Sequence, residues 1–155
     1  MVSDRFFRAS APTYNSLVKY TTMWYSILYL GKKGYIVVKS ELYWELKYWC
    51  NDEDESPVEE WFGLLNREQF KSVAKELKLL ELCGNSLKLP HSRSLKKGLF
   101  ELRERKYGFR IYYIFLRNRI ILMVHAGDKH TQNKDIDIAR ERLKQLTREE
   151  EDYIL

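Results

Sequence analysis

The chain should fold as an α+β domain, with helices packed on one face of a small antiparallel sheet. The expected order is β-α-α-β-β-β-α after an N-terminal extension. Two helical apolar stripes sit side by side between residues 56 and 83, and a third closes the domain. Three strand-like runs separated by tight-turn signals lie together between residues 99 and 126. Helical and strand segments are therefore segregated rather than alternating, which favours a meander covered by helices over a parallel α/β sheet.

Residues 1–40 form the extension. Within it Gly31-Lys32-Lys33-Gly34 separates two apolar runs, a pattern that fits a hairpin, and Met23 offers an alternative start. The domain proper covers 41–148, and 149–155 is an acidic tail. Glu41–Cys50 is rich in aromatics and reads as a strand. Ser56-Pro57 opens a helix, with Ser as N-cap, Pro in the first turn and Glu59 and Glu60 near the positive helix end. Its apolar face is Val58, Trp61, Phe62 and Leu65. Asn66 with Gln69 three residues on forms a capping box for a second helix, whose buried face is Phe70, Val73, Ala74 and Leu77, and Gly84 stops it. Residues 85–98 read as a basic loop. Strands follow at Leu99–Arg105, Phe109–Leu116 and Arg119–Ala126, with turns at Tyr107-Gly108 and Arg117-Asn118. A last helix spans about Asp135–Leu146, with Ile136, Ala139, Leu143 and Leu146 on one face.

With 155 residues, 45% hydrophobic and 32% charged, the chain has the balance of one soluble domain. No apolar run approaches the roughly 18 residues a spanning helix needs. The longest, Met23–Leu30, lacks a cleavage site behind it, so a cytoplasmic protein is expected. Cys50 and Cys83 show no metal-ligand spacing and are expected as buried thiols. The net charge of +5 conceals an asymmetry. Residues 41–81 carry 11 acidic and 5 basic side chains, whereas residues 82–134 carry 12 basic and 3 acidic ones. So basic a segment within one domain suggests a surface for a polyanion.

There is no GxGxxG, P-loop, HExxH or GxSxG motif. Carboxylates near the basic half are too few for a two-metal nuclease, so neither metal nor cofactor is expected. Strand alternation puts Phe100 and Leu102 on one side, and Glu101, Arg103 and Arg105 on the other. Arg110 and Tyr112 share a face, as do Ile121, Met123 and His125. Helices over the Phe100/Leu102 side would leave Arg103, Arg110, Tyr112 and His125 as a basic surface with an aromatic ring, suited to gripping phosphates and stacking a base. The loop Gly127-Asp-Lys-His-Thr-Gln132 adds Lys129 and His130 at the sheet end.

Five blocks carry a family resemblance. Ser56-Pro-Val-Glu-Glu-Trp61, the stretch from Leu89 through Arg103 (Leu-Pro-His-Ser-Arg-Ser-Leu-Lys-Lys-Gly-Leu-Phe-Glu-Leu-Arg), Phe109-Arg-Ile-Tyr-Tyr113, Ile121–Gln132 and Asp135-Ile-Asp-Ile-Ala-Arg140 stand in the order seen in the HigB-like branch of the RelE/ParE toxin superfamily. The resemblance covers about residues 41–146. It implies a toxin of a type II toxin–antitoxin pair that enters the ribosome and cuts mRNA. No metal would be needed, because the ribose 2′-hydroxyl attacks the adjacent phosphate. Carried over by position, Arg103, Arg110 and Lys129 fall on its basic positions and are expected to be catalytic; His130, whose imidazole can move a proton, is the fourth catalytic candidate, and Lys96, Lys97, Arg105, Tyr112 and Lys134 are the candidate RNA contacts. Its implied partners are a helix-turn-helix, HigA-like antitoxin, the ribosome and mRNA, with no membrane. His130 stands where the family pattern has a second lysine, and the Asp-Tyr-His end motif of some relatives is missing. A ParE-like gyrase inhibitor and a non-catalytic phage-derived binding protein are the alternatives on the same scaffold.

Overall fold

The structure, a computed structural model, describes the backbone of Phe7–Arg8 and of residues 43–149, and side chains from 43 to 146. The hairpin expected around 31–34, the alternative start at Met23 and the tail after Glu149 lie outside the described residues. The elements are β1 (Phe7–Arg8), β2 (Glu45–Trp49), α1 (Pro57–Gly63), α2 (Arg67–Cys83), β3 (Ser92–Ser94), β4 (Phe100–Arg103), β5 (Phe109–Leu116), β6 (Ile120–Asp128) and α3 (Gln132–Glu149). They form an α+β fold around one sheet of order β1-β2-β6-β5-β4-β3. Strand β2 runs parallel to β6 and every other pair is antiparallel, so the sheet is mixed rather than wholly antiparallel.

The helix starts follow the local chemistry. The Ser56 hydroxyl accepts from Glu59 N–H at 3.3 Å. Asn66 and Gln69 close a reciprocal capping box at 2.9 and 3.0 Å. Gly84 ends α2 at φ +50°, and a Cβ there would run into the Trp44 indole.

Two cores flank the sheet. One joins Val58 and Phe62 of α1 and Val73, Leu77 and Leu80 of α2 to Leu102, Ile111, Tyr113, Phe115, Ile121 and Met123. The other joins Ala139 and Leu146 of α3 to Tyr112, Ile114, Leu116, Leu122 and Val124. Each such aliphatic side chain, fully buried, contributes about 1.5–3 kcal/mol. The helices thus cover both faces, correcting the expectation of one covered face. The unbroken apolar run Ile111–Leu116 is the trace of this, since a strand buried on both sides has no polar alternation.

Three local expectations are also corrected. The supposed loop 85–98 contains β3, paired with β4 through Arg93↔Glu101. Cys50 is buried, but Cys83 is exposed at the end of α2. A register shift at Tyr112/Tyr113 leaves Val124 without a partner and turns His125 to the α3 side, away from Ile121 and Met123. Among the described residues, no helix is long and apolar enough to cross a membrane.

Candidate functional site

Strand pairing aligns polar residues in two rows on the α3 side of the sheet. The first row crosses four strands as Arg93↔Glu101↔Tyr112↔His125. The second is Arg103↔Arg110↔Gly127. Side chains of adjacent strands at one level are near neighbours, so the pairing alone brings three guanidiniums to one carboxylate.

That carboxylate is Glu101, which is 0% exposed. Its Oε1 lies 3.5 Å from both Arg103 Nε and Arg110 Nε, and its Oε2 lies 3.4 Å from an Arg93 terminal nitrogen. Gln132, the first residue of α3, donates its amide to Oε2 at 2.5 Å. The arginines differ in access, with side-chain exposures of 43% for Arg93, 31% for Arg103 and 5% for Arg110. One Arg110 terminal nitrogen donates to the carbonyls of Glu104 and Phe109 at 3.0 and 2.8 Å. Burial holds the Arg110 guanidinium below its usual pKa; Glu101 counters this, and Arg103 adds to the lowering. Three cations around one anion leave a fixed positive excess.

The start of α3 stands beside this cluster. Thr131 accepts the first helical bond from Asp135 N–H at 3.0 Å. The Thr131 hydroxyl also bonds the Asp135 carboxylate at 2.5 Å. Gly127 makes the approach possible, since a Cβ there would collide with Asp135 Oδ2. The positive end of an 18-residue helix thus stands beside the cluster, with Asp128, which accepts from His130 and Thr131 N–H, and Asp135 offsetting it. Farther along, His125 is clamped between Asp135, 3.1 Å from Nε2, and Arg142, 2.9 Å from Nδ1. Arginine only donates, so Nδ1 accepts and Nε2–H donates, which makes the ring neutral. Burial lowers its pKa accordingly. Arg142 also donates to Val124 O at 2.6 Å and lies 4.6 Å from the Trp49 ring, fastening α3 to the sheet.

Of the sequence-predicted residues, Arg103 and Arg110 are cross-strand partners, as expected, but Arg110, expected on an exposed basic surface, is buried at 4% exposure. Lys129 and His130 are exposed on the β6–α3 loop. Lys129 N–H bonds Gly108 O at 2.8 Å, which sets the loop against the β4–β5 turn. Lys96 and Lys97 are exposed at the tip of the β3–β4 hairpin, both with left-handed backbones, at φ 67° and 50°. Arg105 and Lys134 are exposed. Tyr112 is the correction: it is wholly buried beneath α3, with a hydroxyl that has no partner, and so offers no face to a base. Its pKa is raised, chiefly by burial. Sequence reasoning missed Arg93, Glu101 and Gln132 as members of the site. The one signal was that Glu101 alternates with Arg103 on the same strand.

A family model described as phage-derived protein Gp49-like (DUF891) matches residues 60–144, more than half of the chain. No curated protein matches the sequence.

Proposed function

The chain belongs to the phage-derived Gp49-like family (DUF891), within the RelE/ParE-like toxin superfamily, and from that premise we propose that it is a toxin that halts translation by cutting mRNA on the ribosome. The observation that carries this reading is Arg103, half-exposed over the buried Glu101–Arg110 pair, on the edge that also bears Lys129 and His130.

The reaction needs a phosphate held in place, compensation for the charge of its pentavalent state, and proton transfer. The 2′-oxygen bonds to phosphorus and its proton leaves to solvent. The P–O5′ bond breaks, and His130 in its protonated form donates to the departing 5′-oxygen. The products are a 2′,3′-cyclic phosphate and a 5′-hydroxyl. Arg103 and Lys129 contact the phosphate oxygens, and Arg110 supplies fixed charge from beneath without touching RNA. No metal or cofactor is required, because the nucleophile belongs to the substrate. Lys96, Lys97, Arg105 and Lys134 add phosphate contacts along the strand. The same basic surface is where a helix-turn-helix antitoxin would bind to neutralise the protein. The reading places the protein's action in the cytoplasm.

The test is incubation with mRNA-programmed ribosomes in the presence of a chelator, followed by mapping of new 5′ ends and their chemistry. Cuts with 5′-hydroxyl ends are expected. In cells, protein synthesis should fall before DNA synthesis. Intact mRNA together with gyrase-dependent DNA damage would replace this reading with the gyrase-inhibitor alternative.

A further inference from the structure

We propose that Glu101 is the positioning residue of this site and that Arg93 is a further RNA contact: the buried carboxylate orients Arg93 and Arg103 toward one phosphodiester, and Gln132 fixes the carboxylate. The proposal rests on the RNA-cutting reading above and adds to it two residues and a division of labour.

Glu101 receives side chains from three strands and one helix: Arg93 of β3, Arg103 beside it on β4, Arg110 of β5 and Gln132 of α3. Being fully buried, it reaches no substrate and is no proton acceptor for RNA. Stability alone does not account for the arrangement. Glu101 Oε1, Arg103 Nε and Arg110 Nε are buried and make no hydrogen bond, and one anion faces three cations. Buried ion clusters of this kind are commonly no more stable than well-packed apolar replacements. An oriented cationic excess is what an incoming phosphate needs, with reorganisation completed before it arrives. Arg93 is exposed and Arg103 half-exposed, whereas Arg110 is buried, and both of the accessible arginines lean on the same carboxylate. Anchoring to one carboxylate is what would direct both guanidiniums to the same phosphodiester.

The experiment uses Glu101→Gln and Gln132→Ala. Glu101→Gln keeps the size of the side chain and removes its charge. Single-turnover cleavage at saturating RNA should fall roughly 10- to 100-fold, the order expected when a reacting contact is displaced by about 1 Å. RNA affinity should hold or tighten, since net positive charge rises by one. The Arg103 Nε–H resonance should be sharp in the wild type and broadened in the variant, a readout independent of cleavage. Gln132→Ala should change rate and resonance in the same direction, by less. A folded Glu101→Gln protein with the wild-type rate overturns the proposal. So does a loss explained wholly by weaker RNA binding, or an unchanged Arg103 resonance. If Glu101→Gln does not fold, an unchanged resonance in Gln132→Ala overturns it. A wild-type protein that cuts no RNA refutes the functional reading instead, and the resonance measurement still decides the positioning role.

Discussion

Glu101 and Glu104 stand three residues apart and both are buried, yet they are held in opposite ways. Glu104 accepts from the Ser72 hydroxyl at 2.6 Å, Lys106 N–H at 2.7 Å and Tyr107 N–H at 2.8 Å, with Phe109 N–H farther off at 3.5 Å. Those donors fix the β4–β5 turn and tie it to α2. Burial alone would raise its pKa, but the hydrogen bonds outweigh burial and the carboxyl titrates below its usual value. Glu101 meets mostly guanidiniums, at 3.4–3.5 Å, and leaves buried nitrogens without partners. One carboxylate is saturated and shapes the backbone. The other is oversupplied with cations and shapes a charge. The contrast teaches that burial alone does not say what an acid does: one is fully hydrogen-bonded and fixes a turn, and the other, for which a positioning role is proposed above, is left short of hydrogen bonds among cations.

The comparison can be broken by separating activity from stability. The largest effect should come from Arg103→Ala, on the oversupplied side. Cleavage on programmed ribosomes should fall roughly 100- to 1000-fold, as when a charge aimed at a transition state is removed. Its melting temperature should stay close to the wild type. A folded variant with undiminished cleavage would remove Arg103 from the mechanism.

Glu104→Ala, on the saturated side, should do the reverse. Stranding its donors should cost about 3 kcal/mol in urea unfolding. The folded fraction should still cut at close to the wild-type rate. Equal stability of the two proteins would show that the turn does not depend on this acid.

Acid should sharpen the same point. A carboxyl whose folded pKa is depressed stabilises the fold fully above its unfolded value. That contribution fades as pH falls below about 4.5 and through the folded value. Glu104→Gln should therefore flatten the acid limb of a stability–pH curve. An unchanged limb would assign acid sensitivity to other groups.

The smallest effect belongs to Tyr112→Phe. The lost hydroxyl is buried and has no partner, so stability should be unchanged or rise by about 1 kcal/mol. RNA binding should not move. A large loss of RNA affinity would mean that α3 lifts to expose the ring.

The legible parts of the fold are those set by local chemistry. Strand β5 could be bounded to the residue from its apolar run, and both early helices from Ser56-Pro57 and the Asn66/Gln69 box. The side-by-side placement of Arg103 and Arg110 was legible because one turn joins their strands. What was hidden depends on non-local packing. Ser92-Arg93-Ser94 is three residues with no apolar pattern, and becomes a strand only through pairing with β4. His125 reaches the side of Arg103, Arg110 and Tyr112, as expected, but without Ile121 and Met123, because strict alternation cannot anticipate an unpaired residue at Val124. Tyr112 was read as exposed because the unbroken run Ile111–Leu116 signals a strand covered on both faces without saying that α3 is what covers the second. The convergence on Glu101 needs β3, β4, β5 and α3 at once.

Gly127 makes one position unusually informative. Only hydrogen fits between this backbone and the Asp135 carboxylate. The spacing between the last strand and the last helix is therefore written in a single residue. A related chain carrying even alanine there must either swing the carboxylate at the position of Asp135 aside, giving up its bonds to His125 and Thr131, or shift the first turn of its final helix and with it the residue that meets the buried acid. Reading that one site across relatives should sort those that share this helix placement from those that do not.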